Sequence, residues 1–298
     1  MKDENGMTAT PVEPIVSQPL PLGLIVCGDN VATMATFPDA SIDLVVTSPP
    51  SDDLRAYGGH SWNFDGVAAE LRRVIKPGGV VVWVVNDKTD DGDETGTSFR
   101  QALRFKELGF RLHDTMIWHR VGAFPESTRY HPAFEFMFVF SDGQPKTFNC
   151  IKDRKTTTGG IAASSRMERQ PDGTIRRPER EYVRAEFVAR HNIWDIKAGW
   201  GQSTDEKFAF EHPAIFPEAL ARDHILSWSN EGDIVLDPFN GSGTTTKMAR
   251  EMGRRFIGID VNEAYCDIAR KRLEQRLLFG CTDAANDIGE TEPRMAAM

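Results

Sequence analysis

The sequence predicts a doubly wound α/β fold: one seven-stranded sheet, helices on both sides, and a basic insert beside it. Three observations carry this. Short apolar runs alternate with stretches of helical spacing along most of the chain. Several runs, Asp43–Thr47 and Val80–Val85 among them, are apolar at consecutive positions, as strands buried on both faces are. Two strands end in tight polar turns, the place where such sheets bind ligands. With 298 residues, 40% hydrophobic and 27% charged, the chain has ample material for one large domain or two modest ones.

The elements follow in order. Leu24–Cys27 is a short strand ending at Gly28-Asp29, and Asp43–Thr47 is a second. Phe64–Ile75 has its apolar residues at helical spacing and stops at Lys76-Pro77-Gly78-Gly79, a basic last turn followed by breakers. Val80–Val85 is a strand, Ser98–Leu108 a helix, and Arg111–Trp118 and Phe134–Phe140 are strands joined by the long loop Val121–Pro132. Regular order resumes at His212 with a helix over Pro217–Ser227, its proline placed for the first turn. A strand over Asp233–Asp237, a helix over Thr244–Glu251, a strand over Arg255–Asp260 and a closing helix over Glu263–Leu278 complete the pattern. Residues 1–20, with four prolines nearby, and 280–298, small and acidic, read as tails.

Composition excludes several classes. The longest apolar run, Val80–Val85, is far short of the roughly 20 residues of a membrane span, and no secretory signal starts the chain. Four dispersed cysteines with no C-x-x-C pair support neither a metal site nor a disulfide framework; reduced thiols in a cytoplasmic protein are the expectation. The net charge is −9, yet Lys146–Arg190 holds eleven Lys and Arg against six Asp and Glu. A basic segment in an acidic body points to an anionic partner, although a solvated loop has the same composition.

The sharpest local motif is Ile234-Val-Leu-Asp-Pro-Phe-Asn-Gly-Ser-Gly-Thr-Thr-Thr246. An apolar strand ends at Asp237, and a turn through Asn240, Gly241, Ser242 and Gly243 opens a helix at Thr244. The glycines allow a tight turn and close backbone approach, and the helix N-terminus offers unpaired N–H groups. Twenty-three residues after Asp237, the next strand ends at Asp260, at the distance of an acid that bonds ribose hydroxyls. The ligand is therefore nucleoside-like. It is not a dinucleotide, because the G-x-G-x-x-G spacing is absent and Asp237 would repel a pyrophosphate; a sulfonium or ammonium ligand suits that carboxylate. A second turn, Thr47-Ser-Pro-Pro-Ser51, follows a buried strand. Its prolines fix the backbone and leave carbonyls free to accept bonds from an amino group.

Together these motifs resemble the S-adenosylmethionine-dependent DNA amino-methyltransferases. Leu236–Thr245 with Gly258-Ile-Asp-Val-Asn262 is similar to the family's cofactor half, and Thr47-Ser-Pro-Pro50 to its catalytic motif. Gly28-Asp29 and His212–Leu220 match as well. The catalytic motif comes first and the cofactor motif last, as in the family's β group, over about residues 24–278. The resemblance implies a circularly permuted, Rossmann-like methyltransferase sheet. Its divisions would be a catalytic half over 21–140, a target-recognition insert over 141–211 and a cofactor half over 212–279.

The same resemblance implies roles. Asp29 would bond the adenine amino group of S-adenosylmethionine and Asp260 the ribose hydroxyls. Asp237, Phe239, Asn240, Gly241, Ser242, Gly243, Thr244 and Asn262 would line its pocket, and Phe216 and Pro217 would close the edge. Ser48 and Pro49, backed by Pro50 and Ser51, would hold the exocyclic amino group of a flipped base. Lys152, Arg154, Lys155, Arg166, Arg176 and Arg177 would meet double-stranded DNA. Monomer and homodimer both remain open, and no nuclease signature is present.

Serine at position 48, where adenine enzymes of the family carry Asp, resembles the cytosine N4 enzymes; adenine N6 remains the alternative. Family members usually carry an aromatic residue directly after the two prolines, and this chain has Ser51. Either Tyr57 or Trp62 stacks on the base instead, or Ser51 is an altered residue, or the chain is a weak or inactive relative that binds cofactor and DNA. A methyltransferase acting on small molecules or protein would leave the basic insert without a purpose.

Overall fold

A computed structural model describes residues 18–50, 62–120, 129–156, 160–163, 167–176 and 181–279. Eight strands form the main sheet: β1 (Leu24–Cys27), β2 (Ile42–Thr47), β3 (Ile75–Val85), β4 (Arg111–His119), β5 (Phe134–Ser141), β6 (Ile193–Asp195), β7 (Ile234–Asp237) and β8 (Arg255–Asp260). Their spatial order is β1-β8-β7-β2-β3-β5-β4-β6. The pairs β1–β8, β8–β7, β7–β2, β2–β3 and β4–β6 are parallel, and β5 runs antiparallel to both its neighbours. The seven expected strands are all present. The eighth, β6, follows the basic stretch; only three residues long, it shows no periodicity, and its pairing with Ile117–His119 makes it a strand.

Helices cover both faces: α1 (Asn30–Ala35), α2 (Phe64–Val74), α3 (Thr97–Glu107), α4 (Glu218–Trp228), α5 (Thr244–Glu251) and α6 (Glu263–Phe279). In α2, Asn63 caps the N-terminus by accepting from Gly66 N at 3.0 Å, and Val67, Ala68, Leu71 and Val74 bury one stripe. Two cores result, one on each side of the sheet. One gathers Leu44, Val46, Val82, Val84, Met137, Val139 and Ile225; the other gathers Val45, Leu71, Trp83, Phe105, Phe138 and Phe140. The alternation along each strand divides its residues between them.

Two local expectations change. The breakers Lys76–Gly79 are part of β3, because Ile75 already pairs with Ile42 and the irregular register between the two pairings absorbs Pro77 and Gly78 (φ +78°). Pro217 is the cap residue before α4 and not its first helical residue.

The described residues of the basic insert pair antiparallel in three nested stretches, referred to together as the ribbon. Lys152–Lys155 pairs with Phe187–Ala189, Gly160–Ala163 with Glu181–Arg184, and Glu168-Arg169 with Ile175-Arg176. Its tip turns through Asp172-Gly173, where Gly173 takes φ +83° and the Asp172 carboxylate accepts from Thr174 N at 2.9 Å. Arg190 clamps its base, donating to Asp153 at 2.8 Å and to Asp223 of α4 at 2.6 Å. No helix among the described residues is long and apolar enough to cross a membrane.

Candidate active site

The carboxyl ends of the parallel strands open into a cavity of about 680 Å³. That lies in the range of sites for ligands of cofactor size. The two turns singled out by sequence meet here although 190 residues separate Thr47 from Asp237, because β7 and β2 are neighbours. Ser48, Pro49 and Pro50 line the cavity, as do Asp29, Phe216, Phe239, Asn240, Gly241, Ser242, Thr244, Asp260 and Asn262. Asp237, Gly243 and Pro217 are not part of the lining. Ser51, Arg166, Arg177 and Tyr57 lie outside the described residues.

The cofactor-type turn is held from behind. Asp260 accepts from Gly241 N at 2.8 Å with one carboxylate oxygen and from Asn262 N at 2.9 Å with the other. Gly243 takes φ +82° as α5 begins with no side-chain cap, and a Cβ there would fall 2.8 Å from Ala269 Cβ. A Cβ on Gly241 would meet His212 Nε2 at 2.8 Å. His212 in turn packs edge-on against Tyr265, and its Nδ1 accepts from Ala214 N at 3.1 Å. Asn240 accepts from Thr246 Oγ1 at 2.9 Å while its buried Nδ2 has no partner among the described residues.

Asp237 is turned inward. It is 1% exposed, accepts from Thr47 Oγ1 at 2.6 Å and from Phe239 N at 3.1 Å, and so ties β7 to β2 directly behind the two turns. Burial pushes its carboxyl up to about 6, against the hydrogen bonds from Thr47 and Phe239 that draw it down. Asp29 faces the cavity and also caps α1, accepting from Ala32 N at 2.7 Å.

The structure adds groups that sequence reasoning passed over. Arg272, fully buried, donates to Ser242 O at 2.9 Å and Thr244 Oγ1 at 3.1 Å, and pairs with Glu206 at 2.6 Å and with Glu218. Lys247 pairs with the same two carboxylates. Burial pushes the Glu218 carboxyl up, but Lys247, Thr204 and Arg272 carry it below the usual range. In sequence Arg272 reads as one more charge on a helix; only the fold carries it under the turn. Trp62 lines the cavity with its ring 4.9 Å from Phe239, edge to face. On the far rim stand Asn86, Trp118, Arg120 and Glu135.

The basic residues of the ribbon lie away from the cavity lining. Lys152, Arg154, Lys155 and Arg176 are exposed. Lys155 makes a long pair, 3.7 Å, with Glu186, and Arg154 donates to Ala189 O at 3.3 Å.

Known proteins share this fold. A putative DNA modification methylase from Thermus thermophilus, solved in complex with S-adenosyl-L-methionine, superposes with a TM-score of 0.56 at 24% identity over 85% of this chain and 93% of its own. The cytosine-N4-specific PvuII DNA methyltransferase superposes with a TM-score of 0.60 at 20% identity over 87% and 88%. These two share the fold. In sequence, the orphan methyltransferase M.BamHII of Bacillus amyloliquefaciens is 56% identical over 243 residues, 81% of this chain and 92% of that protein. The family model N6_N4_Mtase, described as DNA methylase, matches residues 42–271, which take in both turns, the ribbon and the strands between them, and the chain therefore belongs to the N6/N4 DNA methylase family.

Proposed function

We propose that this chain moves a methyl group from S-adenosylmethionine to the N4 amino group of a cytosine flipped out of double-stranded DNA. The observation that supports it most is the convergence of Ser48-Pro49-Pro50 and the Asn240–Gly243 turn on one cavity. The lining fits a sulfonium nucleoside: a carboxylate at Asp260, a second at Asp29, and the aromatic walls of Phe216 and Phe239. Asp260 and Asn262 would hold the ribose, Asp29 the adenine amino group, and Phe239 the ring. Bound there, S-adenosylmethionine supplies an electrophilic methyl group.

The residues of this chain then act on the acceptor. An exocyclic amino nitrogen is a weak nucleophile because its lone pair is delocalised into the ring. The Ser48 side chain and the Pro49 carbonyl each accept a hydrogen bond from one amino N–H, and the nitrogen is drawn toward tetrahedral geometry with its lone pair aimed across the cavity. Once the nitrogen carries the methyl group, one of its two hydrogens leaves to solvent as a proton. Positioning and fixed dipoles supply the catalysis. Trp62, on the same cavity wall, takes the stacking place that Ser51 cannot fill. Asp237 works from behind, joining the two turns through Thr47. The insert, as a ribbon of the width that a major groove admits, approaches the duplex with its exposed cations. Permutation of the two halves, with the insert between them, and a cytoplasmic location belong to this reading.

Serine at position 48 favours cytosine over adenine. The test is mass analysis of nucleosides from duplex DNA incubated with the protein and labelled S-adenosylmethionine. N4-methylcytosine is expected. N6-methyladenine would move the assignment to adenine, and cofactor binding without any transfer would mark an inactive relative.

A further inference from the structure

The cavity continues past Ser48 and Pro49 to a polar pair that neither turn supplies. Four strands end there side by side. By alternation Ser48 follows Leu44 and Val46, Asn86 follows Val82 and Val84, Glu135 precedes Met137 and Val139, and Arg120 follows Met116 and Trp118. All eight of those apolar side chains belong to one core cluster. The four polar residues therefore crown one face of the sheet, and all four line the cavity.

Register gives their order along the rim. Thr47 lies beside Trp83, Val85 beside Phe136, and Glu135 beside Trp118. From β2 outward the sequence of groups is Ser48, Asn86, Glu135, Arg120. Glu135 lies two strand spacings, about 10 Å, from Ser48 across the sheet and two residues further along the strands, and Arg120 stands one strand beyond and two residues further again. A pyrimidine ring whose amino group meets Ser48, a hydrogen bond of about 3 Å at either end and the long Arg120 side chain reaching back from the outer strand fill that span.

Arg120 is fixed in place. Its Nη1 pairs with Glu135 at 3.2 Å, its Nη2 donates to Pro132 O at 3.2 Å, and its backbone N donates to Ala133 O at 2.7 Å. Each terminal nitrogen keeps a second hydrogen. The side chain of Arg120 is 31% exposed and that of Glu135 17%, so the pair sits half-buried at the cavity wall, where a fork geometry is retained.

We propose that Arg120, oriented by Glu135, reads the ring edge next to the amino group of the flipped base and thereby selects cytosine over adenine. The inference rests on the cytosine reading above and names the group that enforces it. A guanidinium offers donors only. Next to its amino group cytosine presents two acceptors in a row, N3 and O2. Adenine presents one, N1, followed by a C–H. Arg120 is thus matched by cytosine at both positions and left with an unsatisfied, partly desolvated donor by adenine. Glu135 balances the charge and holds the plane of the fork, so it is a positioning residue.

The test combines a variant with a base analogue. The recognition sequence is first mapped from methylated host DNA, and duplexes are then made with cytosine or 3-deazacytosine, which lacks the N3 acceptor, at the target position. Wild-type kcat/KM is expected to fall by about tenfold or more on the analogue, the scale of a lost base-edge contact. Arg120→Met is expected to lose a similar factor on cytosine, to show no further loss on the analogue, and to bind S-adenosylmethionine as the wild type does. A wild type indifferent to the analogue would overturn the proposal even where Arg120→Met does not fold. So would an Arg120→Met protein that keeps the full analogue penalty. N6-methyladenine as the wild-type product overturns the cytosine reading itself. If no transfer occurs at all, that reading falls and the same comparison is made on duplex affinity, where indifference to both changes overturns the role of Arg120.

Discussion

Asp260 and Asp237 end adjacent parallel strands, yet they do different work. Asp260 faces the cavity and uses both oxygens on backbone N–H groups of the turn. Asp260→Ala is expected to weaken S-adenosylmethionine binding by about 1–3 kcal/mol, read by calorimetry. Asp260→Asn, which keeps one acceptor, should lose less; equal affinity in all three proteins would remove Asp260 from the site. Asp237 is buried, and its carboxyl is raised from 3.8 to about 6. The protonated form is thus favoured by the fold. Its contribution to stability is full below pH ~4, declines as pH rises to ~6, and is absent above, a change on the order of 3 kcal/mol. Denaturant titrations of Asp237→Asn across pH 4–7 should lack that decline, since an amide still accepts from Thr47. A slope identical to the wild type would show that Asp237 ionises freely. The sequence indicated that acids end these strands. It did not indicate which one turns inward, because the partner that draws Asp237 in, Thr47, is 190 residues away.

Among the elements, those with a long apolar stripe or an unbroken apolar run were readable, and the short polar ones were not. The helix α1 is six residues long and buries only Met34, so nothing in its spacing announces it; the Asp29 cap and its place after β1 make it. In the ribbon, each paired stretch has four residues or fewer, with mostly exposed side chains wherever these are described. Its existence depends on pairing across a long hairpin and on the Arg190 clamp, neither of which leaves a periodic trace. The charge excess there was legible, and its geometry was not. If the ribbon meets DNA phosphates, replacing Lys152, Arg154, Lys155 and Arg176 by Gln should reduce the slope of log affinity against log salt by about one unit for each charge that meets a phosphate. An unchanged slope would mean that these cations are only solvated. Arg190→Gln should act otherwise, releasing the base of the ribbon and lowering thermal stability as well as DNA binding.

For the molecule as a whole, the network around Arg272 joins three separate stretches: α6, the cofactor-type turn, and the segment from Thr204 to Glu218. Removing one partner of a buried ionic group leaves the others uncompensated. Arg272→Met is therefore expected to cost on the order of 3 kcal/mol in unfolding experiments and to weaken cofactor binding through Ser242 and Thr244. A stable variant with loose cofactor binding would limit Arg272 to the turn alone. The fold class was legible because the alternation of strands and helices repeats on both sides of the insert, whereas the depth at which Arg272 sits depends on how α6 packs.

The middle of the sheet places β7, from the last quarter of the chain, between β8 and β2, with Asp237 bonded to Thr47. During synthesis the strands that come first therefore leave the ribosome with β2 lacking one neighbour and β1 lacking its only one, β8. Neither portion can complete its core before the other arrives. Severed between Asp195 and Lys207 and expressed as two pieces, the protein should yield two polypeptides that are each unstructured and sticky, and that regain cofactor binding when they are produced together. The same dependence makes any product of translation that stops short of β8 a nonfunctional one.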